Sequence, residues 1–320
     1  MPATAKAHPN IALIKYWGKR DSELNLPAVG SISITLADLH TTMGVSFDDS
    51  LESDVLVVNG ANSDRMLPRV SRCLDAVAGP TRARAMVTSD SNFPIAAGLA
   101  SSASAFAALV VAADAAAGTG HDRARLAGLA GQASGSAARS LFGGFVELQN
   151  VDDGIRLVQL NEAGDWPLSV VIAITQSGPK PVSSTVAMET SRATSPVYDR
   201  WVEQQDADLD EARTAIADRD FDRLGAVAEH SCLKMHSVMW GSRPPMVFWN
   251  ATTLACMEMV RELQADGVGA FFTIDAGPQL KAICEPADAA RVRQALEGVR
   301  GVEQVMVTGL GRGAEVIARD

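Results

Sequence analysis

Residues 92–117 constrain this chain more than any other stretch. They read Asn-Phe-Pro-Ile-Ala-Ala-Gly-Leu-Ala-Ser-Ser-Ala and continue as an alanine-rich apolar run. Pro94 fixes the backbone at the start, and Gly98 can take angles closed to other residues. Ala97, Ala100, Ser101, Ser102 and Ala103 are small enough to let a ligand approach the main chain. The second half, 104–117, predicts a buried helix, because long alanine-rich apolar runs favour helix over strand. A small-residue loop opening a helix aims unpaired N–H groups and the positive end of the helix dipole at one point, where a phosphate fits. The loop alone reads equally well as an ordinary tight turn under a core helix. It lacks the lysine of a Walker loop.

A chain of 320 residues can bury a large core, and two lobes are expected rather than one. Apolar residues make up 47% and charged residues 21%, as in ordinary globular proteins. The net charge of −10 argues against a nucleic-acid binder held by a basic surface, so local Lys and Arg near Gly/Ser loops carry more information than the total. The four cysteines (Cys73, Cys232, Cys256, Cys284) contain no C-x-x-C pair and read as buried thiols in a reducing compartment. Lys6, His8 and Asn10 interrupt any apolar leader, and no apolar window is long enough for a bilayer. The expectation is a cytoplasmic protein with no membrane or nucleic-acid partner.

Strands are expected at 11–16, 32–36, 41–47, 54–59, 83–88, 145–149, 155–160 and 168–175. The last carries a continuous apolar run that suits burial on both faces. Helices are expected at 64–78 and 123–133. The segment from Ser134 to Ser140 looks like the start of another helix. Composition shifts after 177–181, which places a lobe boundary between 180 and 181: an N-terminal lobe 1–180 with the phosphate loop and a C-terminal lobe 181–320. The second lobe should hold helices at 183–192, 196–219, 221–237, 250–265 and 286–298, with strands at 269–274, 280–284, 303–308 and 314–318. Blocks of strand and helix without strict alternation favour α+β over a doubly wound sheet.

Lys15 and Lys19 stand beside Tyr16 and Trp17 at a strand end, where they could neutralise a polyanion or simply be solvated. Asn10 could donate to a ligand or cap a turn. Ser134, Gly135 and Ser136, with Arg139, form a second anion-suited segment, since a guanidinium grips carboxylate or phosphate bidentately. Two such segments suggest two anionic ligands, such as a nucleoside triphosphate and an acidic substrate. Asp275, before Ala-Gly-Pro, is either a turn former or a carboxylate facing a cleft. Ser184 and Thr185 offer hydroxyls or a helix cap. His230 and His236 show no metal spacing and read as structural or rim residues; no metal-ligand motif stands out.

These residues carry a resemblance. Residues 94–103 resemble the phosphate loop of the GHMP kinase superfamily. Residues 10–21, 134–146 and the run from Met235 to Pro278 resemble the mevalonate diphosphate decarboxylases within it. The resemblance implies a two-lobed GHMP kinase-like fold with a deep cleft, and a homodimer. It implies Mg2+- and ATP-dependent conversion of (R)-5-diphosphomevalonate to isopentenyl diphosphate, ADP, phosphate and CO2. By the same resemblance Asp275 meets the C3 hydroxyl as base and Arg139 the carboxylate. Tyr16, Trp17, Lys19 and Ser136 meet the diphosphate end or wall of the substrate, with Lys19 also counted among the catalytic residues. Asn10 lies near the carboxylate and the transferred phosphate, while Ser101, Ser102 and the loop backbone hold ATP. A phosphomevalonate decarboxylase or a mevalonate 3-kinase is the alternative within the superfamily, and a non-catalytic nucleotide binder the alternative outside it.

Overall fold

The computed structural model describes residues 1–93, 100–152, 154–178 and 182–319. In the first lobe the strands are β1 (Ala3–Ala7), β2 (Asn10–Ile14), β3 (Lys19–Asp21), β4 (Leu26–Pro27), β5 (Ser31–Thr35), β6 (Thr41–Asp48), β7 (Val55–Val58) and β8 (Ala61–Asn62). Helix α1 (Leu67–Ala78), β9 (Arg84–Ser91), α2 (Ser101–Ala117), α3 (Arg123–Ala133), a 3-10 turn (Arg139–Leu141), β10 (Phe145–Val151) and β11 (Gly154–Asn161) follow. The rest runs β12 (Ser169–Ile174), α4 (Ser184–Thr194), α5 (Tyr198–Glu203), α6 (Gln205–Asp218), α7 (Phe221–Trp240) and α8 (Ala251–Ala265). It closes with β13 (Ala270–Ile274), β14 (Leu280–Cys284), α9 (Ala289–Glu297), β15 (Gln304–Gly309) and β16 (Glu315–Arg319). This is the expected α+β class.

A sheet of order β16-β1-β6-β9-β7-β8 buries one face against α1, α2 and α3. Its strands show why: Ala85 and Val87 of β9 are fully buried while Arg84, Met86 and Thr88 between them are exposed. Helix α2 is apolar on every side because helices and sheet surround it, as the alanine-rich run predicts. A second sheet, β11-β10-β5-β2, sits beside it. Along β5, Ile32 and Ile34 enter one core, while Ser31, Ser33 and Thr35 are buried on the opposite face. That alternation puts the Ser31 hydroxyl beside Arg139.

Strand β12 lies between β14 and β15 in the sheet β13-β14-β12-β15 and is buried as expected. Sheet membership therefore departs from a division at 180/181. The strand at Ser169–Ile174 already belongs with the C-terminal strands, and β16 returns to pair with β1. One apolar core joins β2, β5 and β10 to β12, α6 and α7, so the lobes share packing. Two expectations of local structure are corrected. The segment after Ser134 forms turns and a three-residue 3-10 turn rather than a full helix. The helix expected over 196–219 is two, α5 and α6, meeting at Gln204.

Candidate active site

The last residue of β2 is Ile14, and the chain then carries Lys15, Tyr16 and Trp17 to the wall of a cavity of about 350 Å³. The backbone here is pinned by side chains from the other lobe. The Lys15 N–H donates to Ser231 Oγ (3.0 Å), and Gln205 Nε2 donates to the Lys15 carbonyl (2.6 Å). Trp17 is buried, its Nε1 donating to Ser191 Oγ (3.0 Å), so it shapes the wall from within the core. Gly18 then turns at φ +91, packed against Tyr198, and Lys19 starts β3 at the rim. Burial lowers the Lys19 pKa; Glu189 opposes the shift and Arg69 adds to it.

The two small-residue segments converge. Ala100, in the left-handed region, precedes α2, and Ser134 caps the C-terminal end of α3. Ser134 Oγ donates to Ser102 Oγ at 3.3 Å, and both residues line the cavity with Ala100, Gly135 and Ser136. Gly135 is required by close approach: a Cβ there would sit 2.5 Å from the Tyr16 hydroxyl. Burial raises the Tyr16 pKa, against the pull of Arg139 and Arg69. Of the expected nucleotide residues, Pro94, Ala97, Gly98 and Leu99 lie outside the described residues. Ser101 opens α2 without lining the cavity, and Ala103 is fully buried and does not line it either.

Arg139 is 2% exposed. Its Nε and Nη2 donate to Asn10 Oδ1 (3.3 and 3.2 Å) and its Nη1 to Ser31 Oγ, and its guanidinium stands 5.9 Å from the Tyr16 ring centroid. Asn10 Nδ2 spends its two hydrogens on Ser136 O (2.9 Å) and Ser140 Oγ (2.7 Å). Asn10 thus holds Arg139 in place and lines the cavity beside it. Among the described residues no carboxylate ion-pairs with Arg139.

Asp275 follows β13 and faces the cavity with 26% of its side chain exposed. Lys15 Nζ lies 2.6 Å from its Oδ1 and Lys281 Nζ 3.1 Å from its Oδ2, both ammoniums being 1% exposed. Burial alone would raise the Asp275 pKa, but the two ammoniums outweigh it and hold the carboxyl well below the usual carboxylate range. Lys15 is therefore committed to Asp275 and the Ala12 carbonyl, which corrects the pairing of Lys15 with Lys19 as a joint polyanion site.

Ser184 and Thr185 also line the cavity, so every expected catalytic and substrate-facing residue meets there: Asn10, Tyr16, Trp17, Lys19, Ser134, Gly135, Ser136, Arg139, Ser184, Thr185 and Asp275. The sequence reading missed Lys281, Arg69 and Ser183. Arg69, on α1, donates from Nε to Ala133 O (2.6 Å) and covers Phe106 at 4.5 Å. A neighbouring cavity of about 310 Å³ shares Lys19, Asn25, Arg69 and Thr185 with the first and adds Arg72. Among the described residues the first cavity is lined by four cations (Lys15, Lys19, Arg69, Arg139) and one carboxylate (Asp275), the reverse of the chain's net −10. His236, fully buried behind Ile274, is structural as expected, but it lies in the interior and not at the rim. Among the described residues no group of three or more His, Cys, Asp or Glu could hold a metal, and no helix is long and apolar enough to cross a membrane.

Comparison with known proteins agrees with this geometry. Residues 7–156 match the diphosphomevalonate decarboxylase-like N-terminal domain and residues 170–315 the mevalonate 5-diphosphate decarboxylase C-terminal domain. The chain is similar to the diphosphomevalonate decarboxylase of Candida albicans, with 33% identity covering 98% of this chain and 97% of that one. The crystal structure of mevalonate diphosphate decarboxylase from Staphylococcus aureus superposes with a TM-score of 0.93 at 37% identity, covering 99% and 98% of the two chains. A complex of MDDEF with MVAPP, AMPPCP and magnesium gives a TM-score of 0.92 at 36% identity, covering 100% and 99%. Two domain matches that take in most of the sequence, on a fold whose cavity gathers the motif residues, establish that the chain belongs to the diphosphomevalonate decarboxylase family.

Proposed function

We propose that this chain converts (R)-5-diphosphomevalonate and ATP to isopentenyl diphosphate, ADP, phosphate and CO2, and that the cavity described above is where it does so. The observation that carries the proposal is the convergence of four cations, one carboxylate and the first turn of α2 on one cavity in an acidic protein. A tertiary alcohol is a poor leaving group, so its oxygen is phosphorylated first. Loss of that phosphate leaves positive character at C3, and the neighbouring carboxylate departs as CO2 to leave the alkene. The chemistry needs a phosphate cradle, a carboxylate grip and a group that orients the hydroxyl.

In this reading Asp275 accepts the hydrogen bond of the C3 hydroxyl. Arg139, rigidly held and lacking a carboxylate partner among the described residues, takes the substrate carboxylate. Lys19, Arg69 and Arg72 around the joined cavities suit a diphosphate, whose several charges exceed what one ammonium neutralises. Ser102 and the start of α2 face the ATP phosphates. Among the described residues Asp275 is the carboxylate lining the cavity, and a Mg2+ bound there with ATP would neutralise phosphate charge. The proposal includes a cytoplasmic homodimer. Four free, buried cysteines are compatible with a reducing compartment, and light scattering of the purified protein tests the dimer.

The test is to incubate the protein with Mg-ATP and, separately, mevalonate, its 5-phosphate and its 5-diphosphate, and to measure ADP and CO2. Equal release of both from the diphosphate is expected. ADP without CO2 would make the protein a kinase, and no product from any of the three would leave only a binding role. Asp275→Asn should keep ligand binding while lowering turnover by roughly 10²–10⁴; unchanged turnover would remove Asp275 from the reaction.

A further inference from the structure

Strand β14 is buried along its whole length between β13 and β12, yet its second residue is Lys281. An ammonium in a central strand is costly unless it is paired. Its neighbours Leu280, Ala282, Ile283 and Cys284 show what the site otherwise selects. The side chain reaches Asp275 Oδ2 while Lys15, arriving from β2, takes Oδ1, so each carboxylate oxygen has its own ammonium. The backbone just before Asp275 is fixed as well. The Ile274 N–H donates to Cys232 Sγ (3.2 Å), and the Ile274 carbonyl faces His236 Nε2 (3.3 Å).

We propose that Lys281 is a positioning residue for the reaction: together with Lys15 it keeps Asp275 ionised and aimed, so that Asp275 works as a fixed acceptor for the substrate hydroxyl and not as a strong base. The identity of that hydroxyl rests on the function proposed above; the clamp itself does not.

The charged and titratable groups around Asp275 are Lys15 after β2, Lys281 on β14, Arg139 from the 3-10 turn, and Cys232 and His236 on α7. Burial pushes the Cys232 thiol up and the His236 imidazole down to about 3, so near neutral pH neither adds charge. Among the described residues the charges named around this carboxylate are all cationic. A weak base suffices for phosphoryl transfer through a loose transition state, in which the attacking oxygen needs little prior deprotonation. The hydroxyl proton can pass to an Asp275 oxygen as the O–P bond forms and the bond from ATP's bridging oxygen to its γ-phosphorus breaks, with ADP leaving on that oxygen. No further reactant is required.

Carboxyl 13C NMR of full-length protein labelled at aspartate Cγ tests the clamp, with Asp275→Asn assigning the resonance. In the wild type Asp275 should remain ionised through the ordinary carboxylate range. In Lys281→Met its midpoint should rise by about 1–3 pH units, the usual effect of losing one close opposite charge. The acidic limb of kcat/KM should rise with it, while Lys281→Arg keeps both near their wild-type positions. An Asp275 that titrates normally in the wild type overturns the clamp without needing any variant. An unshifted Lys281→Met, or a Lys281→Arg that behaves like it, overturns the part given to Lys281. If none of the three substrates is turned over, the NMR titration still decides the clamp, so its failure is distinguishable from failure of the proposed function.

Discussion

Arg139 shows how a single buried guanidinium can be held entirely by neutral described neighbours. Two N–H groups go to Asn10, one to Ser31, and its ring neighbour is Tyr16, yet no described carboxylate pairs with it. Losing one partner of a buried, hydrogen-bonded charge pair costs about 2–5 kcal/mol, roughly 30-fold or more in affinity. Arg139→Ala should therefore weaken binding of 5-diphosphomevalonate by that factor and of ATP far less, read by calorimetry on each ligand separately. Equal weakening of both would contradict a carboxylate role. Arg139 was legible in the sequence because Gly and Ser surround it. Lys281 was not, because one lysine inside an apolar strand reads as a solvated edge until the fold shows where its ammonium goes. Arg69 was hidden for a similar reason: on an amphipathic helix a cation at the pocket and one in solvent look alike.

Among the elements, the turn between β2 and β3 and the helix α7 set the site together. Ser231, Cys232 and His236 of α7 reach the ends of both β2 and β13, so one helix registers Lys15 against Asp275. Gly18 lets the chain leave β2 beneath Tyr198: its φ is +91, and a Cβ there would lie 1.9 Å from the Tyr198 hydroxyl. Gly18→Ala should cost about 1–3 kcal/mol in denaturant unfolding. Tyr198→Phe, which removes the nearest atom, should recover part of the loss; no change in stability would mean the turn yields freely. Most strands and helices followed from their apolar period. Strand β1 escaped because its buried positions, Ala3, Ala5 and Ala7, are all alanine, too small to mark a core face, with Lys6 half-exposed between two of them. The Ser134–Ser140 segment misled for the opposite reason. Helix-capping residues were present, but the Arg139 and Asn10 bonds hold the chain in turns.

Taken whole, the molecule is tied across its length. The last strand, β16, forms the edge of the first lobe by pairing antiparallel with β1, Ala3 opposite Arg319, and Ala314 just before it lies in that lobe's core. Removing residues 315–320 should therefore lower amide protection in β1 and β6, more than 200 positions away in sequence, as read by hydrogen exchange. Undiminished protection there would show the closing strand to be dispensable. A composition shift near 180 could not reveal this, because strand pairing partners are chosen by register and packing, which linear composition does not carry. The same layered packing gives the four cysteines a further meaning. Cys73 belongs to the core beneath the first sheet, and Cys232, Cys256 and Cys284 to the core against the sheet β13-β14-β12-β15, with burial holding Cys73 and Cys284 up at about 12. Cys73 borders the smaller cavity and is 4% exposed, so a thiol reagent should reach it first, while modification of the fully buried Cys232, Cys256 and Cys284 is a clock, native to the chain, for the loosening of their half.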